Sequence, residues 1–421
     1  MAIGRYRISY MGAVLLTIVT LFMAFQPRRP GLNLWADFVT GLSQSTVVTG
    51  PLAAGFAAIV VSSWTKSATP RIRVATKSGW LILLRALNAL LVPLLVSFPL
   101  SVFLVGIYSY LTGTYGAPHP PWLLCLWACS IGAIGFGASL GFVLAGRWYV
   151  APLASLLFLG GHILASSLDL RFGVRSLFPT VVNQDTEFAI YFSDTMLAQA
   201  ALFISVSALM VVLAFQSVTR KLARSASLTV LLLLFSIYSG ALVLNRNGQY
   251  LTGFNHRDFV CGGDALVICL NRGYADGLHP LSEAFTTPMN RVDGTPLAPA
   301  LLEQNVQGVG DEPSQGARSI YIESIDEDGI SLAVYRYFET YGGVTSCMES
   351  TRTTEQVLAT LIVTGWLAGY DEVGFSESPK SSIEWQKWNG LHELSEHVAI
   401  DWFNTHYVEF MDCTLTLSDL P

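Results

Sequence analysis

Acidic side chains are scarce in the first part of this chain and abundant in the second. Ahead of Asn245 there are 5 Asp and Glu against 15 Lys and Arg; from Asn245 to Pro421 there are 25 against 9, so +10 and −16 compose the net charge of −6. The early shortage weighs against a carrier driven by an ion gradient, which buries several carboxylates at mid-membrane. Asp169, Asp185, Glu187 and Asp194 all fall in or beside one loop. Charge of either sign is sparse, 13% of residues against 52% hydrophobic, which describes an integral membrane protein with one soluble appendage. The appendage is too acidic to attract nucleic acid.

Catalytic motifs are missing as well. There is no GxxxxGK[ST] phosphate loop and no G-x-S-x-G elbow, so neither P-loop ATP hydrolysis nor serine-hydrolase chemistry has a carrier in this chain. His392-Glu393-Leu394-Ser395-Glu396-His397 comes nearest to a zinc motif, but its histidines are five apart rather than four. That spacing turns them about 140° around a helix, so one face cannot offer both to a metal. Exposed pairs at helical spacing, His392/Glu396 and Glu393/His397, are the plainer expectation. No catalytic residue, metal site or cofactor is expected.

What the chain does have is long apolar runs. Ser217–Asn245 divides it: a basic collar of Arg220, Lys221 and Arg224 precedes an apolar stretch, Leu228–Leu244, of about the length that crosses a bilayer as a helix. Seven such runs are expected, at about 10–25, 43–64, 80–110, 122–144, 150–166, 195–215 and 228–244. Lys and Arg favour cytoplasmic ends, and this threading puts Arg5, Arg7, Lys66, Arg71, Arg73, Lys77, Arg85, Arg147 and the collar inside. Only Arg28, Arg29, Arg171 and Arg175 fall outside. The expected fold is therefore a polytopic α-helical membrane protein, residues 1–244, with an α+β extracytoplasmic domain over 245–421. The amino terminus lies in the cytoplasm and the plasma membrane is the expected location. Thr65–Gly79 reads as the main inside loop, and Asp169–Asp194 as an external one with room for a short helix.

Within the runs, Gly50-Pro51-Leu52-Ala53-Ala54-Gly55 and Gly137-Ala138-Ser139-Leu140-Gly141 offer small faces for close helix packing. His162 is the one histidine well inside a run, and ionisable groups at that depth are functional candidates. Its plainer role is a neutral imidazole bonded to a neighbouring helix. Cys125 and Cys129, four apart on one helix, read as small packing residues.

The tail holds Cys261, Cys269, Cys347 and Cys413, an even number suited to disulfides in an oxidising compartment. Four cysteines allow three pairings. Gly262-Gly263 can turn Cys261 onto Cys269 in a hairpin, which leaves Cys347 for Cys413. Strands are expected at Ser319–Ile325 and Ser331–Phe338 around a turn at Asp326–Gly329. Helices are expected at Thr354–Ala368 and Ile383–Met411, the second broken near Asn389-Gly390.

The small-residue run from Gly50 to Gly55 leads on to Trp64 and the basic loop. Cys261 and Cys269 are followed by Asn271-Arg272-Gly273-Tyr274. The end carries Trp402-Phe403-Asn404-Thr405-His406 and Cys413-Thr414-Leu415-Thr416-Leu417. On these residues the chain resembles an actinobacterial family of ABC-2-type membrane proteins. The resemblance implies a permease subunit served by a separate ABC ATPase and paired with a second permease copy or paralogue, with no single substrate. A peptide, a lipid or an antibiotic-like molecule is the expected export. It also makes Thr65–Gly79, with Lys66, Arg71, Arg73 and Lys77, the loop that receives the ATPase's movement; the plainer role of those residues is to set topology. The alternative function is a membrane-anchored sensor or scaffold whose external domain binds a ligand or an envelope protein.

Overall fold

The structure is a computed structural model. It describes residues 2–74, 79–172, 189–191, 193–219, 226–245, 251–254, 258–263, 266–305, 313–347, 352–369 and 382–421. These form two compact units: 1–28 with 33–254, and 29–32 with 255–421. The second unit resumes at Asn255, ten residues beyond the expected start at Asn245. The short segment Arg29–Leu32, from early in the chain, belongs to the carboxy-terminal unit.

The first unit contains α1 (Ala2–Phe25), α2 (Trp35–Val74), α3 (Gly79–Leu111), α4 (Pro120–Val143), α5 (Val150–Phe172), β1 (Ala189–Tyr191), α6 (Ser193–Thr219), α7 (Ala226–Asn245) and β2 (Leu251–Phe254). All of the helices but α5 are long and apolar enough to cross a membrane; α5 carries the shorter apolar stretch Val150–Leu164. Helices form because the runs are apolar on every side and bury their own backbone polar groups, as a lipid environment demands.

Helix α2 is the centre, packing on α1, α4 and α5. Its small residues let backbones meet. A Cβ placed on Gly137 would lie 2.7 Å from the Cα and carbonyl carbon of Ala54, and one on Gly141 would lie 2.6 Å from the Ala58 carbonyl oxygen. Ala54, Ala57 and Ala58 are fully buried there. A second small face serves α5, where Gly50 meets the Phe158 ring and Gly55 the Ser155 hydroxyl. Ser155 donates to the carbonyl of Pro51 at 2.8 Å. The Gly50–Gly55 and Gly137–Gly141 stretches are thus two sides of one packing device.

Helix α2 also departs from expectation at both ends. Trp35 and Asp37, expected in an external segment, form its first turn, where the Asp37 carboxylate suits the amino-terminal dipole. Thr65–Val74, expected as loop, continues the helix through Pro70. Between α5 and α6, residues 189–191 form a strand, and β1 pairs antiparallel with β2. Residues 173–188 and the basic collar lie outside the described residues.

The second unit is built on a four-stranded sheet of β3 (Phe259–Gly262), β4 (Val267–Asn271), β5 (Leu301–Gln304) and β6 (Arg318–Ile320), in that order. The first pair is antiparallel and the other two are parallel, which gives the expected α+β domain an α/β component. Cys261 stands opposite Cys269 in the hairpin. A 3-10 turn (Arg272–Gly277) and α8 (Leu278–Arg291) cross back from β4 to β5, with Leu281 and Phe285 facing inward.

Ser331–Phe338, expected as a strand, belongs to α9 (Glu327–Tyr341). Its apolar–polar alternation is short, whereas Ile330, Ala333, Val334, Tyr337 and Phe338 recur at helical spacing and are buried. Asp326 caps the helix by accepting the Gly329 N–H, and Glu327 and Asp328 follow in the first turn. The strand expected over Ser319–Ile325 ends at Ile320.

The short α10 (Val344–Cys347) precedes α11 (Thr354–Ala368), which forms as expected, with a Thr353/Gln356 capping box and Gly369 left-handed at φ 68°. The long last helix is three: α12 (Ile383–Glu393), α13 (Glu396–Thr405) and α14 (Tyr407–Met411). The break falls at Leu394–Ser395, both extended. Gly390 instead admits the chain end, since a Cβ there would lie 2.6 Å from the Pro421 carbonyl oxygen. Disulfides join Cys261 to Cys269 and Cys347 to Cys413, with Cα separations of 4.1 and 5.2 Å.

Candidate functional site

Three places in the fold gather polar chemistry. The first is the far end of α2. Gly146, in the turn between α4 and α5, donates its N–H to Ser62 Oγ at 2.8 Å, so Ser62 is level with that turn. Lys66 lies beside it, its side chain near Gly146. From Ser62 to Val74 the helix runs on for roughly 18 Å at 1.5 Å per residue, and α3 begins at Gly79. The expected coupling loop is therefore a pair of helix ends. Arg71 and Arg73 are on α2 itself, and Lys77 lies outside the described residues.

The second is the interior of the first unit. His162 on α5 is buried, 6% exposed, with Gly160 and Gly161 just before it. Cys125 on α4 donates its thiol to Gln199 Oε1 on α6 at 3.2 Å, both residues buried. Ser236 on α7 donates to Ser205 on α6 at 2.9 Å. The structure brings Cys125 to Gln199, and it leaves His162 on the α5 side of the bundle. Sequence reasoning missed Gln199. Its signal was a lone amide in a run that otherwise holds small and apolar residues, where a buried amide needs a partner across the helix interface.

The third involves Arg28 and Arg29, two of the four arginines that charge counting leaves outside. Arg28 donates to the Tyr108 hydroxyl at 2.9 Å and to Asn33 Oδ1 at 2.6 Å, and its guanidinium stands 5.2 Å from the Tyr108 ring. Arg29 belongs to the carboxy-terminal unit. It donates to the Tyr274 hydroxyl at 2.8 Å, over a ring that is completely buried. The Ile325 N–H donates to the Pro30 carbonyl at 3.4 Å. Gly31 follows at φ 77°, where a Cβ would lie 2.6 Å from Ile325 Cγ1, and Leu32 is 2% exposed. Only glycine takes this conformation without strain and also fits the space.

These anchors lie past the carboxyl ends of the parallel strands. Tyr274 follows Asn271 of β4, and Ile325 follows Ile320 of β6. Asn271 and Gln304 end β4 and β5, and the Gln304 Oε1 accepts the Asn271 N–H at 2.9 Å. The carboxyl end of parallel strands is where open α/β sheets take ligands.

Several other polar groups among the described residues of the domain bond within the fold. Tyr337 donates to the Leu297 carbonyl at 2.7 Å, and burial pushes its phenol well above the ordinary range against the opposing Arg318 charge. Arg291 pairs with Glu396 at 3.5 Å and lies over the Trp366 ring. The expected His392/Glu396 and Glu393/His397 pairs lose their helical register at Leu394, and Glu393 instead accepts from Asn389 at 2.5 Å. His392 packs against the Trp388 ring and bonds its carbonyl. Among the described residues no group of three or more His, Cys, Asp and Glu is placed to hold a metal. No protein-family model, curated protein or solved structure matches this chain.

Proposed function

We propose that this protein is the membrane subunit of an ABC-2-type transporter, working with a separate ATPase and exporting a peptide, lipid or antibiotic-like molecule. The observation that carries the reading is the pair of helix ends beyond the α4–α5 turn, with Lys66, Arg71 and Arg73 on the α2 side. Two helices that outrun a bilayer on its basic side offer a stiff surface to a cytoplasmic partner, and α2 leads from there into the centre of the bundle. The family resemblance points the same way.

A seven-crossing threading supports this orientation. Arg29–Leu32 and residues 255–421 make one compact unit, so both belong on one side of the membrane. The chain between them then crosses an even number of times. With α2, α3, α4, α6 and α7 taken as five crossings, this threading takes α5 as the sixth. Its 23 residues reach roughly 34 Å, enough for a hydrocarbon core about 30 Å thick. The pairing of Asn33 and Trp35 with Tyr115, and of β1 with β2, joins segments that this threading puts on the same outer side. Disulfides fit an oxidising exterior, and the basic collar fits the cytoplasm.

The test is purification of the full chain from its own cells in mild detergent. A nucleotide-binding ATPase should accompany it, and Arg71→Glu with Arg73→Glu should release that ATPase while the chain still elutes as a folded species. Purification of the parent chain without an ATPase would refute the transporter reading. The second reading, a membrane-anchored sensor or scaffold, is favoured by the grip of the carboxy-terminal unit on Arg29–Leu32.

A further inference from the structure

We propose that Arg29–Leu32 is a strap through which the carboxy-terminal domain acts on α2, so that an event at the carboxyl edge of the sheet reaches the basic far end of that helix. The inference goes beyond both functional readings and needs neither the ATPase nor a substrate.

Three features make the strap a bound element. Its backbone is held by the Ile325 N–H on Pro30, its guanidinium by the Tyr274 hydroxyl, and Leu32 is buried. Gly31 is in the left-handed region against Ile325, a geometry suited to close approach. The anchors follow β4 and β6 at the edge where parallel sheets take ligands, so the strap occupies a binding edge as a ligand from the same chain. Its middle is exposed at Pro30 and Gly31, which suits an element that is released and rebound.

The link onward is short. Only Asn33 and Leu34 separate Leu32 from Trp35, the first residue of α2, and the three backbone steps between them span at most about 11 Å. The slack is further reduced because Trp35 donates to the Tyr115 carbonyl at 3.0 Å and Tyr115 to that of Asn33 at 2.9 Å. From Trp35 the helix is continuous for 40 residues to Val74. A pull on the strap is therefore a pull on one continuous helix, in which only Pro51 and Pro70 lack the backbone N–H donor. Regular helices resist stretching, and close-packed interfaces shift between discrete positions rather than deforming gradually.

Hydrogen exchange on the purified full chain in lipid nanodiscs tests this without any assay of activity. Tyr274→Phe removes only the hydroxyl that holds Arg29, and Gly31→Ala opens the strap from the side of Ile325. Each should raise exchange at the Ile325 amide about tenfold, the equivalent of one charge-assisted hydrogen bond. Each should also change exchange in peptides covering 65–79, while peptides from α11 stay as in the parent. Arg29→Lys, which keeps a donor and the charge, should restore more of the parent pattern than Arg29→Ala. Faster exchange confined to the strap and Ile325, with 65–79 unmoved in both variants, would overturn the coupling. Unchanged exchange at Ile325 in both would overturn the strap itself.

Discussion

Adding one methyl group at Gly137 tests the central contact of the bundle. A Cβ there would lie 2.7 Å from both the Cα and the carbonyl carbon of Ala54, about 0.7 Å inside ordinary van der Waals contact. The obstacle is backbone on a continuous helix, so no side chain can rotate away. Helices α2 and α4 must separate locally, and a gap of 0.5–1 Å forfeits roughly a quarter to a half of each dispersion contact across it. Around that point Ala57, Ala58, Ala133, Ile134 and Ala138 are 3% exposed or less, so little of the loss can be recovered by rearrangement. Overpacking of this kind costs about 1–3 kcal/mol. For a unit of this size that lowers Tm by about 2–4 °C per kcal/mol. Gly160→Ala is the matched control: it too adds a methyl group to a helix, yet its Cβ meets nothing within 4 Å. It should be neutral or stabilising by up to about 1 kcal/mol, because alanine is the better helix former. The assay is thermal unfolding in detergent followed by tryptophan fluorescence. Equal Tm values for Gly137→Ala and Gly160→Ala would refute the backbone contact and the central place given to α2.

Three more predictions concern orientation, crosslinks and pH. A reporter active only outside the membrane should work when fused after Pro421 and at Tyr191 and fail at Lys77 and at Arg147; failure at Tyr191 with Arg147 inside would mean that α5 does not cross. Cys347→Ser with Cys413→Ser, which opens a 66-residue loop, should destabilise the domain by about 4 kcal/mol, against about 2.5 for Cys261→Ser with Cys269→Ser, read by urea unfolding of the full chain. Equal losses would show that loop length does not govern the effect. Burial raises the Tyr337 phenol, so its contribution is fully present below the unfolded value near 10 and is lost as pH rises toward the folded one. Stability should fall above about pH 10, and more gently in Tyr337→Phe; identical slopes would remove Tyr337 from the alkaline transition.

Much of the architecture was determined by the sequence alone, because membrane-length apolar runs carry their own instructions. A run such as Leu228–Leu244 satisfies its backbone internally whatever its neighbours are, so helices were expected in the right places without knowledge of packing. The Gly137–Gly141 spacing announced a close contact for the same local reason, and Cys261 with Cys269 announced a hairpin because two glycines lie between them. Cys347 with Cys413 followed from counting. Only the tertiary structure decided where α2 starts and stops, since Trp35 and Thr65–Val74 read as loop by polarity but continue a helix already nucleated and packed. It decided that Ser331–Phe338 is helical, where the alternation of eight residues lost to the burial of one face from Ile330 to Phe338. It gave Gln199 its partner and broke the last helix at Ser395. It also joined Arg29–Leu32 to a domain more than two hundred residues further along, through a hydroxyl, one amide and a left-handed glycine. Such contacts depend on which surfaces meet once each element has formed, and no local pattern in the chain encodes that.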